Sequence, residues 1–509
     1  MSRFVVNNQE YSLADFKQFI KSAEQVHIEP QVLSLLADNR LALNELLAKS
    51  DRPVYGVNTG FGKLSNVVIS PEDQLDLQIN LLRSHAAGVG TPLDDDTVRL
   101  ALLLKVISLS QGYSGVRPEV VALLAAMINK SLLPVVPSQG SVGASGDLAP
   151  LAHLCLPLIG EGAIRLAGED LPAAEAFAKH GLEPLTLQPK EGLALINGTQ
   201  VSTAIGVLGA IKLGNLVKAA DIIGALSLDG LMGTPAPFTE EVHRLKRHAG
   251  QRDSAANLRT LTKGSAIRES HRQDDQRVQD IYSLRCMPQI HGSCRDAVEF
   301  VTNQLVNEAN SVSDNPLVFA AEGRIISAGH FHGEVTAMAC DLGAIAAAEL
   351  ASISERRIFA LTAGNYGLPP FLVANPGLNS GFMMVQVTAA ALVSENKTLT
   401  HPASVDSIPT GADQEDHVPM SPWAARKLLT VIANLENVLA IEYLLACQAI
   451  DFRDGLESGK GAMAAHRLLR AKVSRLEHDR VLHPDMAAAA ELIASGALVE
   501  AVESVVQLR

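Results

Sequence analysis

Residues 421–450 read SPWAARKLLTVIANLENVLAIEYLLACQAI, and how this stretch is placed decides the fold. Ser421 followed by Pro422 is a helix start: serine can cap the first amides, and proline at the first helical position lacks only an N–H that would have no partner there. Beyond it, apolar side chains fall on every face. Residues 431–450 would suit a membrane by composition, but Asn434, Glu436, Asn437 and Glu442 interrupt them, and each is costly in hydrocarbon. The stretch therefore predicts a long helix buried in protein, and a helix apolar all round belongs at the centre of the fold.

Similar apolar-rich helical patterns run through 96–110, 118–131, 201–231, 336–358 and 487–508, whereas strand-like alternation is scarce. The expected fold is mainly α, a long central helical bundle with a smaller mixed N-terminal lobe. At 509 residues the chain is long for one compact core. A boundary near Gly192 divides it into residues 1–191 and 192–509. A net charge of −13 repels phosphate backbones and argues against a nucleic-acid partner. The five cysteines, Cys155, Cys286, Cys294, Cys340 and Cys447, lack the short paired spacings of a zinc site and fit free thiols in a reducing cytoplasm. Residues 1–10 contain no apolar run of signal-peptide length, so neither export nor a membrane anchor is expected.

The loops rich in Gly, Pro and Asn, at 53–63, 134–146, 232–238, 363–382 and 402–420, hold the candidate chemistry. In GSVGASGDLAPL (140–151) the tripeptide Ala144-Ser145-Gly146 can turn backbone into an electrophile. If the Gly146 nitrogen attacks the Ala144 carbonyl carbon, and water leaves there and from the Ser145 side chain, a five-membered ring with an exposed methylidene results. Glycine suits the attacking position because it has no Cβ to obstruct the approach. Asp147, followed by an apolar run to His153, reads as a first helical turn, so the electrophile would sit at a helix N-terminus. Taken alone, the tripeptide reads more simply as a glycine-rich turn before a helix, which is far commoner than a self-processed ring.

The wider stretch PSQGSVGASGDLAPLAH (137–153), together with separate motifs from about Tyr55 to about Leu429, closely resembles the signature of the aromatic amino acid ammonia-lyases. That resemblance implies a fumarase/aspartase-like helical fold. It also implies a methylidene-imidazolone (MIO) made from Ala144, Ser145 and Gly146, with no external cofactor, and a homotetramer with active sites shared between subunits. It assigns the catalytic base to Tyr55 in VYGVNTGFG (54–62), and a contact with the ring or the substrate carboxylate to Asn197 in LINGTQ (195–200). In VQDIYSLRC (278–286), Arg285 would grip the carboxylate in a bidentate pair while Tyr282 and Gln279 line the site. Phe331 in GHFHG (329–333) matches a pocket aromatic. Read without the resemblance, Tyr55 and Phe331 are packed aromatics, Asn197 is a turn residue, and Arg285 is half of an ion pair.

Substrate choice rests on two positions. Ser84-His85 resembles the histidine-selective members, where phenylalanine-selective relatives typically carry Phe-Leu and many tyrosine-selective ones His-Leu. Glu415 in DQEDHV (413–418) stands where aromatic relatives often have glutamine. A carboxylate and an imidazole suit an imidazole substrate, whereas the carboxylate would be unpaired against a phenyl ring. The implied reaction is non-oxidative deamination of L-histidine to trans-urocanate and ammonia, the first step of histidine degradation. Two alternatives stand beside it: a tyrosine or phenylalanine lyase or aminomutase on the same scaffold, and a non-catalytic helical oligomer with an unmodified loop. Asp413 and His330 depart from the common pattern, since many relatives carry asparagine at both positions. His330, His332 and Glu334 suggest a metal site, but two imidazoles and a carboxylate leave coordination incomplete unless a distant ligand joins them. No metal is expected, and His332 reads as a hydrogen-bonding scaffold residue.

Overall fold

The computed structural model describes residues 3–49, 53–273, 275 and 277–509. The chain is mainly α, as expected, and forms two compact units, each drawn from three segments. The first comprises Met1–Leu208, Thr302–Asp341 and Pro402–Arg426; the second comprises Gly209–Val301, Leu342–His401 and Lys427–Arg509. This division differs from the boundary expected after residue 191. Of its five breaks, only the one after His401 lies in a loop, and the rest fall inside the helices Gln200–Gly230, Met287–Ala309, Glu334–Thr362 and Ser421–Asp451. A helix that continues from one unit into the next leaves no glycine or proline linker for a sequence reading to find.

Every strand assigned among the described residues lies in the first unit. Arg3–Val6 pairs in parallel with Gln25–Ile28, and Val89–Pro92 pairs antiparallel with Pro137–Gln139. Leu133–Pro134, Ala163–Leu166 and Glu169–Pro172 form a three-stranded antiparallel sheet, and Leu317–Phe319 folds back on Arg324–Ile326. At the heart of this unit runs the helix Asp95–Ser110. The Asp94 carboxylate caps it by accepting from the Thr97 amide at 2.8 Å, and every residue from Thr97 to Ser110 is buried.

The greater part of each of the three longest helices lies in the second unit. Gln200–Gly230, Glu334–Thr362 and Ser421–Asp451 are each long and apolar enough to cross a membrane, yet their most apolar windows are 72%, 67% and 72% buried within the protein. Their apolar faces are thus already covered by other side chains, as the all-round pattern predicts. Gly224 permits close helix packing, since a Cβ there would lie 2.6 Å from the Met287 sulfur. The helix expected over 487–508 is two helices, His483–Ala494 and Ala497–Glu503, because Gly496 between them adopts φ +84°. Met287–Ala309, a 23-residue helix, escaped the apolar pattern because polar and charged residues punctuate it.

A buried polar network crosses this second unit. Arg357, fully buried, donates through Nε and Nη2 to both oxygens of Glu442 at 2.5 and 2.8 Å, and through Nη1 to the Ser283 carbonyl at 3.3 Å. The same Nη1 lies 3.3 Å from His291 Nε2, while His291 Nδ1 lies 2.9 Å from Asp221. A carboxylate only accepts, so Nδ1 carries the proton and Nε2 receives the guanidinium. Burial alone would raise the Asp221 carboxyl, but the His291 bond and the Arg295 charge hold it down at about 2.

Candidate active site

Between Pro137–Gln139 and the helix Leu148–Cys155 the backbone doubles back on itself. Gly143 and Gly146 are bridged across Ala144 and Ser145, and Gly146 is bridged in turn to Gly198. Three neighbouring segments hold this turn. The Asp147 amide donates to the Gly198 carbonyl at 2.7 Å, the Gly333 amide to the Gly143 carbonyl at 3.0 Å, and the Met420 amide to the Val142 carbonyl at 2.8 Å. Gly146 adopts φ +75°, and a Cβ built on it would lie 2.2 Å from the Gly198 carbonyl oxygen, so no other residue fits. Asp147 is wholly buried and accepts from the Ser202 amide and hydroxyl at 2.7 and 3.0 Å. Burial outweighs these donors and pushes its carboxyl up to about 6.

Asn197 reaches the turn from behind, its Nδ2 donating to the Ser145 carbonyl at 2.7 Å. Its own backbone carbonyl accepts from Lys105 Nζ at 2.8 Å, and the same ammonium donates to the Ala194 carbonyl at 3.1 Å. Lys105 is 1% exposed, and burial lowers it to about 8. The sequence reading did not single out this residue, although a lone lysine within LALLLKVISL was a signal, because a charge on a buried helix must find partners. Lys105→Met keeps the aliphatic stem and deletes the donor. It should destabilise the protein by about 1–3 kcal/mol for each carbonyl orphaned, as read from denaturation midpoints.

Ala144 and Ser145 line a cavity of about 1460 Å³ whose lining residues all belong to the first unit. Of the residues singled out from sequence, Tyr55, His85, Asn197, Phe331 and Glu415 line it with them, while Gly146 lies buried beneath. The Tyr55 oxygen accepts from the Gly62 amide at 3.2 Å, and its ring meets Phe61 edge to face, the centroids 6.2 Å apart. His85 Nδ1 lies 2.9 Å from the Leu81 carbonyl, which can only accept, so Nδ1 bears the proton and Nε2 keeps its lone pair. Burial lowers the His85 pKa, opposed by the Leu81 bond and the Glu415 charge, and the imidazole is therefore held neutral.

Glu415 is held at both oxygens. The Ser145 hydroxyl donates to Oε1 at 2.6 Å and the Thr410 hydroxyl to Oε2 at 2.5 Å. Thr410 and Glu415 also exchange backbone bonds of 3.0 and 3.3 Å across Gly411, Ala412 and Asp413, whose φ values are +56°, +55° and +67°. Left-handed backbone at an alanine and an aspartate is strained, and such strain persists only where the surroundings impose it. Thr410 was another residue missed from sequence, where nothing marks it as the second clamp on Glu415. Asp413 is exposed and is not among the lining residues.

Gln279, Tyr282 and Arg285 are not brought into this group. They belong to the second unit and are absent from the lining of the cavity. Tyr282 is 70% exposed, and the Arg285 guanidinium stacks over its ring at 4.5 Å. Arg285 Nε is buried with no hydrogen-bond partner among the described residues. Lys63 is the only lysine or arginine among the described lining residues, so the cavity as one chain builds it has no guanidinium fork for a carboxylate.

His330 is not part of the cluster the structure forms; instead, candidate ligand atoms of His332, Glu334 and His417 lie within 4.8 Å of one another. His332 Nε2 lies 3.2 Å from the His417 carbonyl, a scaffold contact of the kind expected. Zinc bonds of about 2.0–2.2 Å would require these side chains to close further.

A family model described as aromatic amino acid lyase matches residues 11–471. The chain is 51% identical over 504 residues to the histidine ammonia-lyase of Sorangium cellulosum (strain So ce56), covering 97% of this chain and 98% of that one. The crystal structure of histidine ammonia-lyase from Trypanosoma cruzi matches with a TM-score of 0.92 at 38% identity, over 99% of this chain and 96% of that one. A tyrosine aminomutase from Streptomyces globisporus matches with a TM-score of 0.93 at 36% identity, over the full length of both. With sequence likeness over nearly its whole length and the Ala144-Ser145-Gly146 turn at the wall of its cavity, the chain belongs to the aromatic amino acid lyase family.

Proposed function

We propose that the protein removes ammonia from L-histidine to give trans-urocanate, using an electrophile formed from its own Ala144, Ser145 and Gly146. The observation that carries this reading is the placement of a neutral His85 and of Glu415 on the wall that holds Ser145. Both are acceptors suited to imidazole N–H groups. The 51% identity to a histidine ammonia-lyase, against 36% to a tyrosine aminomutase, favours histidine over the alternative substrates.

The tripeptide fits a methylidene-imidazolone. Its backbone is already folded back across Ala144 and Ser145, Gly146 sits where no Cβ is tolerated, and Asn197 Nδ2 rests on the carbonyl to which charge would spread. Such a group supplies an electron sink for the substrate's amine or ring. Tyr55 takes the proton from the carbon β to the amine, and Phe331 closes part of the pocket. Glu415 gains a role when the ring forms: loss of the Ser145 hydroxyl deprives Oε1 of its donor, and a substrate imidazole N–H replaces it.

The carboxylate clamp comes from Arg285, with Tyr282 and Gln279 beside it, contributed by another subunit of a homotetramer. Support lies in the unpartnered Arg285 Nε and in exposed Met338, Ile345 and Phe359, which recur at multiples of seven along Glu334–Thr362 and so share one face. Chains carrying Tyr55→Phe and chains carrying Arg285→Lys should each be nearly inactive alone and regain part of the activity when co-expressed. Activity no greater than the sum of the two would place both residues in one subunit's site.

The reaction is tested by supplying L-histidine, L-tyrosine and L-phenylalanine without added cofactor and following the products. Histidine should dominate, and His85→Ala should lower its kcat/KM by roughly 10- to 100-fold with a smaller effect on tyrosine, as expected when a substrate N–H loses its acceptor. Equal turnover of the three amino acids would overturn the assignment.

A further inference from the structure

We infer that Glu415 acts before any substrate arrives, by removing the hydroxyl of Ser145 as the electrophile is made; the inference rests on the ring proposed above. Glu415 Oε1 lies 2.6 Å from Ser145 Oγ and is its only hydrogen-bond partner among the described residues. The carboxyl group thus sits on the atom that has to leave. Its aim is fixed from the far side by Thr410, through the hydroxyl on Oε2 and the paired backbone bonds around the left-handed turn. The other half of the elimination is also in place. Asn197 Nδ2 holds the Ser145 carbonyl at 2.7 Å, and a hydrogen bond there stabilises the negative charge that develops when the adjacent Cα loses its proton.

The electron flow balances. The Cα–H bond of Ser145 breaks and its electron pair becomes the second bond between Cα and Cβ. The Cβ–Oγ bond breaks with its pair on Oγ, which takes a proton from Glu415 and leaves as water. That proton is the one released from Cα, which reaches the Glu415 carboxylate through solvent, so Glu415 ends the step as the carboxylate it began as. The short O···O contact that carries a hydrogen bond from serine to glutamate in the resting chain carries the proton the other way in this step.

Purified full-length protein is weighed intact, and the peptide containing Ser145 is sequenced by tandem mass spectrometry. The wild-type chain should be lighter than its translated sequence by two waters, about 36 Da. Glu415→Ala, with a native circular dichroism spectrum, should retain the Ser145 hydroxyl in most chains and so keep at least one of those waters. Thr410→Val, which frees the far side of the carboxylate, should give an intermediate fraction. Loss of both waters in Glu415→Ala as completely as in wild type would overturn the role. Should Glu415→Ala fail to fold, the near-isosteric Glu415→Gln is read by the same two outcomes. A wild-type chain of unaltered mass would instead refute the ring itself, and this role with it.

Discussion

Ser145→Ala should abolish histidine turnover while leaving the fold close to wild type. Among the described residues the hydroxyl makes a single hydrogen bond, to Glu415, so its removal disturbs little packing. What disappears is the leaving group. With no hydroxyl to eliminate, the proposed methylidene cannot form, and no other side chain among the described lining residues offers a comparable electron sink. Loss of a group on which the whole catalytic arrangement depends removes far more rate than loss of a binding contact, and turnover should fall by on the order of a thousandfold or more. Steady-state urocanate formation measures this, with the intact mass showing at most one water lost. Residual kcat within tenfold of wild type would sink the electrophile as the engine of the reaction.

Arg357→Met should produce the largest loss of stability. Arg357 and Glu442 are both fully buried and joined by two hydrogen bonds, and methionine leaves the carboxylate in place with only the Ser227 hydroxyl as a donor among the described residues. An uncompensated buried charge of this kind costs about 3–5 kcal/mol. The effect should also reach function, since Arg357 holds the Ser283 carbonyl within Tyr282–Arg285, the segment proposed to carry the carboxylate clamp. Urea titration gives the stability and kcat/KM the functional arm. The double replacement Arg357→Met/Glu442→Leu should recover much of the lost stability, because it removes the orphaned charge as well. A single variant less than about 1 kcal/mol below wild type would show that Glu442 finds other partners.

The two variants probe different kinds of knowledge. The reading of Ser145 as a latent electrophile rests on three consecutive residues, legible in the order Ala-Ser-Gly because the bond-forming atoms are already linked through the backbone. The central helices were legible for a related reason: period and all-round apolarity are local, and burial of Thr97 to Ser110 or of the 421–451 helix follows from side chains that water would not accommodate. Tyr55, His85, Asn197, Phe331 and Glu415 were each named from their own short motifs, and the fold then gathered them onto one cavity.

Only tertiary structure decided who touches whom. Glu415 meets Ser145 across 270 positions, and Lys105 meets Asn197 across 92. No local pattern encodes such pairs, because they exist only after packed helices have closed the distance between loops. The same holds for the discontinuous units, whose breaks lie within unbroken helices, and for the split at Gly496, where one left-handed residue ended a pattern that apolar spacing carried further. Sequence thus determined the helices and the latent chemistry through interactions spanning a few residues. Packing determined the site, since a carboxyl group acts on a hydroxyl only when the whole chain holds the two within a hydrogen bond.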